Sequence, residues 1–208
     1  MEAGKIPNEI LEKIVLSKIN KFRKDVILRP GIGEDCAAID FEDYACILST
    51  DPITGAANDI GRLAVHISCN DIASCGVTPI GLMLTILCPV GTTEEEIGRV
   101  MDQITTTAAS LNVEIIGGHT EVTPAVNKLV ISSTCVGKAP KNRIVSSRGA
   151  QPGDCVIITK SAGLEGTAII ANDLEYGISG KLSQQQLEKA KSLINSISVV
   201  REGVIAGE

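Results

Sequence analysis

Three short runs constrain the fold most: Tyr44–Thr50, Gly81–Cys88 and Leu129–Val136 are apolar with little polar alternation. Runs of this length read as strands, and strands apolar on both faces need cover on both sides. Helical patterns separate them. Asp59 is placed to cap a helix from Ile60 to Cys75, with Gly76 as its stop and Pro79 beyond. Thr93 and Glu96 have capping-box spacing for a second helix, whose stripe runs Ile97, Val100, Met101, Ile104, Ala108, Leu111. These two helices cover only one face of a sheet, so the other face is expected to meet a second copy of the chain.

Smaller elements complete the pattern. Pro7–Ile19 reads as an amphipathic helix with Ile10, Leu11, Ile14, Val15 and Ile19 on one face. Ala37–Ile39 and Val113–Ile116 read as short strands, the latter ending in Gly117-Gly118. The polar stretch Ala139–Asp154 reads as a linker. Beyond it lie a strand, Cys155–Thr159, a helix after Gly166, and a last helix Gln184–Ile197 capped by Ser183. The order α, ββ, α, β, α, ββ, then a fresh βα, describes a layered α+β or α/β fold. The expected domains are 1–148 and the start of a second from 151.

The composition sets what fills this frame. Hydrophobic residues make up 44% of the 208 residues and aromatic ones only 2%, so the core is aliphatic. So few aromatic rings, with a net charge of -6, argue against nucleic acid, which is held by basic clusters and stacking faces. The seven cysteines form no CxxC pair and sit mostly in apolar runs, which fits small buried hydrophobes in a reducing compartment. No apolar run approaches the roughly 20 residues of a membrane span, and the first residues lack the pattern of a secretion signal. A cytoplasmic protein is the expectation.

The acids fall where acids are costly. Asp35 lies in a Gly-rich loop, Asp51 ends an apolar strand, and Asp71 sits on the otherwise apolar face of a helix. His119 and Glu121 follow an apolar strand and a Gly-Gly pair. Acids so placed lose hydration unless a cation compensates them. Several converging at a sheet edge would suit Mg²⁺, which takes oxygen ligands and leaves room for phosphates. Each acid also has a plainer reading: Asp51 before Pro52 is a turn former, Asp35 a solvated loop residue, and Asp71 a partner for Arg62 or a nearby Lys. No Walker A or GxGxxG sequence decides between these.

Ordered segments along the chain do resemble a known family. Gly31-Ile-Gly-Glu-Asp-Cys-Ala is similar to the GxGDDAA loop of thiamine-monophosphate kinase and of the hydrogenase maturation factor that dehydrates carbamoyl groups. Ser49-Thr-Asp-Pro resembles their TTDP strand end, and Asp59–Pro79 their helix bearing an Asn-Asp pair. Gly117-Gly-His-Thr-Glu stands where they carry GGDT. Gln151-Pro-Gly-Asp and Ser161-Ala-Gly-Leu-Glu-Gly resemble the opening of their second domain. The chain thus resembles the aminoimidazole ribonucleotide synthetase superfamily.

That resemblance implies an N-terminal domain whose mixed sheet, covered by helices, dimerises into a barrel with ATP sites at the seam, followed by an incomplete second α/β domain. It implies ATP and Mg²⁺ as cofactors. Asp35, Asp51 and Asp71 would hold the metal, with Glu121 as a further carboxylate. Gly33, Thr50, Asn70, Gly117, Gly118, His119 and Thr120 would line the nucleotide site. The implied chemistry is phosphorylation of an oxygen on a small-molecule or protein-tail substrate. The alternatives are a non-catalytic nucleotide-binding dimer and a small-molecule kinase.

The chain departs from the pattern in three ways. Glu34 replaces one Asp of the loop, His119 replaces the Asp of GGDT, and only Gln151–Glu208 stands where a full second domain is expected. The maturation factor ends in a carbamoyl-accepting cysteine, whereas this chain ends Val204-Ile-Ala-Gly-Glu, so that step is not expected of it.

Overall fold

A computed structural model describes residues 1–178 and 180–208. Its centre is a six-stranded mixed sheet built from β1 (Val26–Leu28), β2 (Ala37–Phe41), β3 (Tyr44–Ile53), β4 (Pro79–Cys88), β5 (Glu114–Val122) and β6 (Val130–Pro140). The strand order is β1-β2-β3-β6-β4-β5, antiparallel except for the parallel pair β4–β5. That one parallel step follows from the chain between them: α3 (Glu94–Ser110) crosses over and returns the chain in the same direction.

α2 (Ile60–Ser74) and α3 cover one face of the sheet. Period-2 alternation aims Ala45, Ile47, Leu82, Leu84, Ile86, Ile131 and Cys135 at them, where they meet Ala64, Val65, Cys69, Ile72, Val100 and Ile104. Five of the seven cysteines are buried, Cys46 is half-buried and Cys155 exposed. The opposite face is open and partly apolar: Ile80 is 51% exposed and Met83 49%.

The helix starts follow local chemistry. Thr93 and Glu96 make both halves of the expected capping box on α3. Asp59 stands before α2 but makes no side-chain cap. The free N–H groups there go to other segments, with Gly61 N donating to Gln103 Oε1 at 3.0 Å. Asp173 accepts from Ala57 N at 2.8 Å and Asn58 N at 3.1 Å.

Several boundaries differ from expectation. The first helix, α1 (Asn8–Ile14), stops early and buries no residue; a 3-10 turn, Leu16–Lys18, follows. β3 and β6 run past their expected ends because they pair with each other from Tyr44↔Pro140 to Ile53↔Ile131. β5 continues through Gly117-Gly118 to Val122, since β4 offers it a ladder that far. No strand forms at Cys155–Thr159: the segment has no neighbouring strand, and Val156, Ile157 and Ile158 are 92%, 84% and 72% exposed. An apolar run alone does not make a strand without something to pair with.

After residue 160 the chain is helical: α4 (Leu164–Asp173), α5 (Glu175–Ile178), α6 (Gln184–Ser192) with a 3-10 turn Leu193–Ser196, and α7 (Val200–Gly207). These pieces dock on the first 150 residues. Ala168, Ile194 and Ile197 join Ala56 and Leu63 in a second apolar cluster. α7 crosses α2 so closely that a side chain on Gly203 would overlap the Ala73 backbone.

Candidate functional site

The site grows from two neighbouring elements. Ser49 and Asp51 lie two residues apart on β3, so both project toward α2. Asp71, in the last turn and a half of α2, meets them: Ser49 Oγ donates to Asp71 Oδ2 at 2.6 Å. The loop before β2 supplies Asp35, and the next residue, Cys36, ties that loop down by donating from Sγ to the Asp71 carbonyl oxygen at 3.2 Å.

The electrostatics follow from this crowding. Burial, more than any other cause, pushes the Asp71 carboxyl up to about 7; the Ser49 hydroxyl opposes the shift, and Asp51 and Asp35 add to it. Among the described residues none of the three aspartates is in an ion pair. Hard oxygen donors with uncompensated negative charge fit a divalent cation. Among the described residues no three acidic, histidine or cysteine side chains form a ready-made metal cage.

Beside the aspartates runs a groove of about 270 Å³ lined by Pro30, Asp35, Leu48, Ser49, Thr50 and Thr134. Thr50 points to the open face of the sheet, where its Oγ1 accepts from Thr134 Oγ1 at 2.9 Å. Gly33 holds the Gly31–Glu34 turn at φ +76°. Glu34 turns away: its Oε2 accepts from Ser147 Oγ at 2.8 Å and clasps the 146–148 loop.

Asn70 is held by the C-terminal segment. Its Nδ2 donates to the Ile197 carbonyl at 3.0 Å and its Oδ1 accepts from Val199 N at 2.8 Å. It pins the C-terminal segment onto α2, one residue from Asp71.

Gly117, Gly118, His119, Thr120 and Glu121 are not brought to the aspartates within one chain. They lie on β5, three strand spacings from β3, or roughly 14 Å. The β4 register, Thr85↔His119 and Leu87↔Glu121, also turns His119 and Glu121 to the open face, opposite Asp51. There His119 Nε2 and Glu121 Oε2 stand 3.3 Å apart. Gly118 is needed for packing, because a Cβ would overlap the Leu84 carbonyl oxygen on β4.

Comparison with known proteins decides the family. Residues 33–139 match the model of the AIR synthase related protein, N-terminal domain. The chain belongs to this family. The match covers β2 to β6 and contains Asp35, Asp51, Asp71 and Glu121. A putative hydrogenase expression/formation protein of Methanocaldococcus jannaschii is 29% identical over 176 residues, 80% of this chain and 51% of its own length. The carbamoyl dehydratase HypE of Rhizobium leguminosarum bv. viciae is 31% identical over 69% of this chain and 44% of its own. The chain thus spans about half the length of the curated relatives it matches.

Among solved structures, AaThiL complexed with AMPPCP and TMP superposes with a TM-score of 0.73, covering 96% of this chain and 61% of that one at 17% identity. That likeness is one of fold. Hydrogenase maturation protein HypE in complex with ATP matches with a TM-score of 0.57 at 26% identity, over 83% of this chain and 52% of that one.

Reading the residues singly missed two groups, Ser49 and Ser147. Ser49 was legible in principle, since its period-2 spacing from Asp51 puts both on one face. Ser147 comes from a segment distant in sequence, and only the fold places it beside Glu34.

Proposed function

We propose that the chain binds ATP with Mg²⁺ and, as part of an enzyme of this family, supports phosphorylation of a substrate oxygen. The observation that carries this reading is the convergence of Asp51, Asp71 and the Asp35 loop around Ser49 with no cationic partner among the described residues. Mg²⁺ held there would neutralise the charge of the triphosphate. The chain's own part is to position: Ser49 fixes the Asp71 carboxylate, Cys36 fixes the Asp35 loop, and Thr50 lines the groove beside them. HypE in complex with ATP, matched over most of this chain, supports the nucleotide.

The open sheet face supports a homodimer, in which β3, β6 and β4 of two copies would cover each other. Such an arrangement would give the partner copy's exposed β5 edge a route to the nucleotide groove, and with it His119 and Glu121. Calorimetric titration of Asp51→Asn and wild type with Mg-ATP tests the reading, alongside phosphate release in the presence of carbamoyl and phosphate-ester substrates. Binding unaffected by Asp51→Asn would remove the proposed site.

A further inference from the structure

Residues 16–30, of which the aspartate groove uses only Pro30, form with Arg148 the wall of a cavity of about 480 Å³. Four cations line it, Lys21, Arg23, Arg29 and Arg148, and among the described residues no acid does. Gathering like charges costs energy unless an anion answers them, and a chain of net charge -6 has acids to spare. Among the described residues only Arg23 is answered, its Nη2 pairing with Asp25 Oδ2 at 2.6 Å. Lys21, Arg29 and Arg148 enter no ion pair there.

Two of these three cations are positioned by the fold. Arg29 Nη2 donates to the Arg23 carbonyl at 2.7 Å, and its guanidinium lies 5.8 Å from the centre of the Phe22 ring. Arg148 follows Ser147, which Glu34 holds, and its Nη2 reaches the glycine turn: a Cβ built on Gly31 would stand 3.8 Å from it. Leu16, Phe22 and Val26 supply an apolar wall. Pro30 lines both this cavity and the groove of Asp35 and Thr50, so the basic and acidic sites are neighbours.

We infer that this cavity binds an organic phosphate, with Lys21, Arg29 and Arg148 on the phosphate and Phe22 with the aliphatic wall against a flat apolar body. Planar guanidinium forks offer paired N–H donors that match phosphate oxygens. A wall part cationic and part apolar favours a molecule that carries both parts. Two sources share this chemistry: the nucleotide of the proposed site, its nucleoside end lying across Pro30, and a separate phosphate ester. The inference needs no metal.

Calorimetry on the full chain in chelator, with AMP and pyrophosphate as probes, tests it. AMP should bind, and Arg29→Gln and Arg148→Gln should each weaken it about tenfold, the loss expected for one charge-assisted contact. Arg148 is exposed, so its variant should keep the wild-type melting temperature. Phe22→Ala should weaken AMP and leave pyrophosphate unchanged, and Asp51→Asn should leave AMP in chelator unchanged. AMP that competes with Mg-ATP identifies the nucleotide as the occupant; AMP that binds beside it identifies a separate phosphate ester. If neither probe binds, or both bind equally well to the two arginine variants, the inference is overturned. Mg-ATP binding that Asp51→Asn still abolishes would then leave the metal reading standing. Conversely, arginine-dependent AMP binding with no effect of Mg²⁺ on ATP would overturn the metal reading alone.

Discussion

Asp71 is the residue on which most of the site chemistry turns. It is half-buried and is held by Ser49. Replacing it by Asn should weaken Mg-ATP binding at least as much as loss of a supporting group does, roughly 10–100-fold. Glu121→Gln should cost less in a single-site titration, because Glu121 lies on the far strand and the opposite face. The reverse order would move the site to β5. A pH effect follows as well. In metal-free protein the Asp71 pKa is raised from 3.8 to about 7, so the folded state holds a proton that the unfolded chain releases. Stability should therefore fall as pH rises from about 4 through 7, and Asp71→Asn should flatten that fall. Denaturant midpoints in chelator, compared at pH 5 and pH 8, check the sign.

At the scale of elements, β5 and the segment after residue 150 make the sharpest demands. Gly118→Ala should destabilise the protein by more than about 2 kcal/mol, since β4 leaves no room for a Cβ there. Thermal unfolding measures it, and an unchanged midpoint would mean that β5 is placed wrongly. Exposed Val156–Ile158 and the unpaired chain around them should exchange amides fast and be cut first, while α3 stays protected. The elements that the sequence revealed were those with strong local signals: the capping box of α3, the Gly76 stop of α2, and the three apolar strands. What escaped it depended on partners. β3 and β6 lengthened because each found the other, Cys155–Thr159 stayed unpaired because nothing lay beside it, and α7 has little signal until α2 is there to receive it. The site divided the same way. Asp35, Asp51 and Asp71 stood out as acids in apolar surroundings, whereas the hydrogen-bond partners of Asn70 lie 127 and 129 residues away.

At the scale of the whole molecule, one face of the sheet has its helices and, among the described residues, the other has none. Covering Ile80, Met83 and their neighbours with a second copy would complete the layers, and light scattering at micromolar concentration should give twice the chain mass. A monomer at that concentration would separate the nucleotide reading from the dimer reading. The central claim is that acids gathered from three separate segments hold a metal for a nucleotide. Calorimetric titration with ATP, in Mg²⁺ and in chelator, tests it most directly. Tighter binding with Mg²⁺, lost in Asp71→Asn, is the expected result; equal affinity with and without the metal would contradict it.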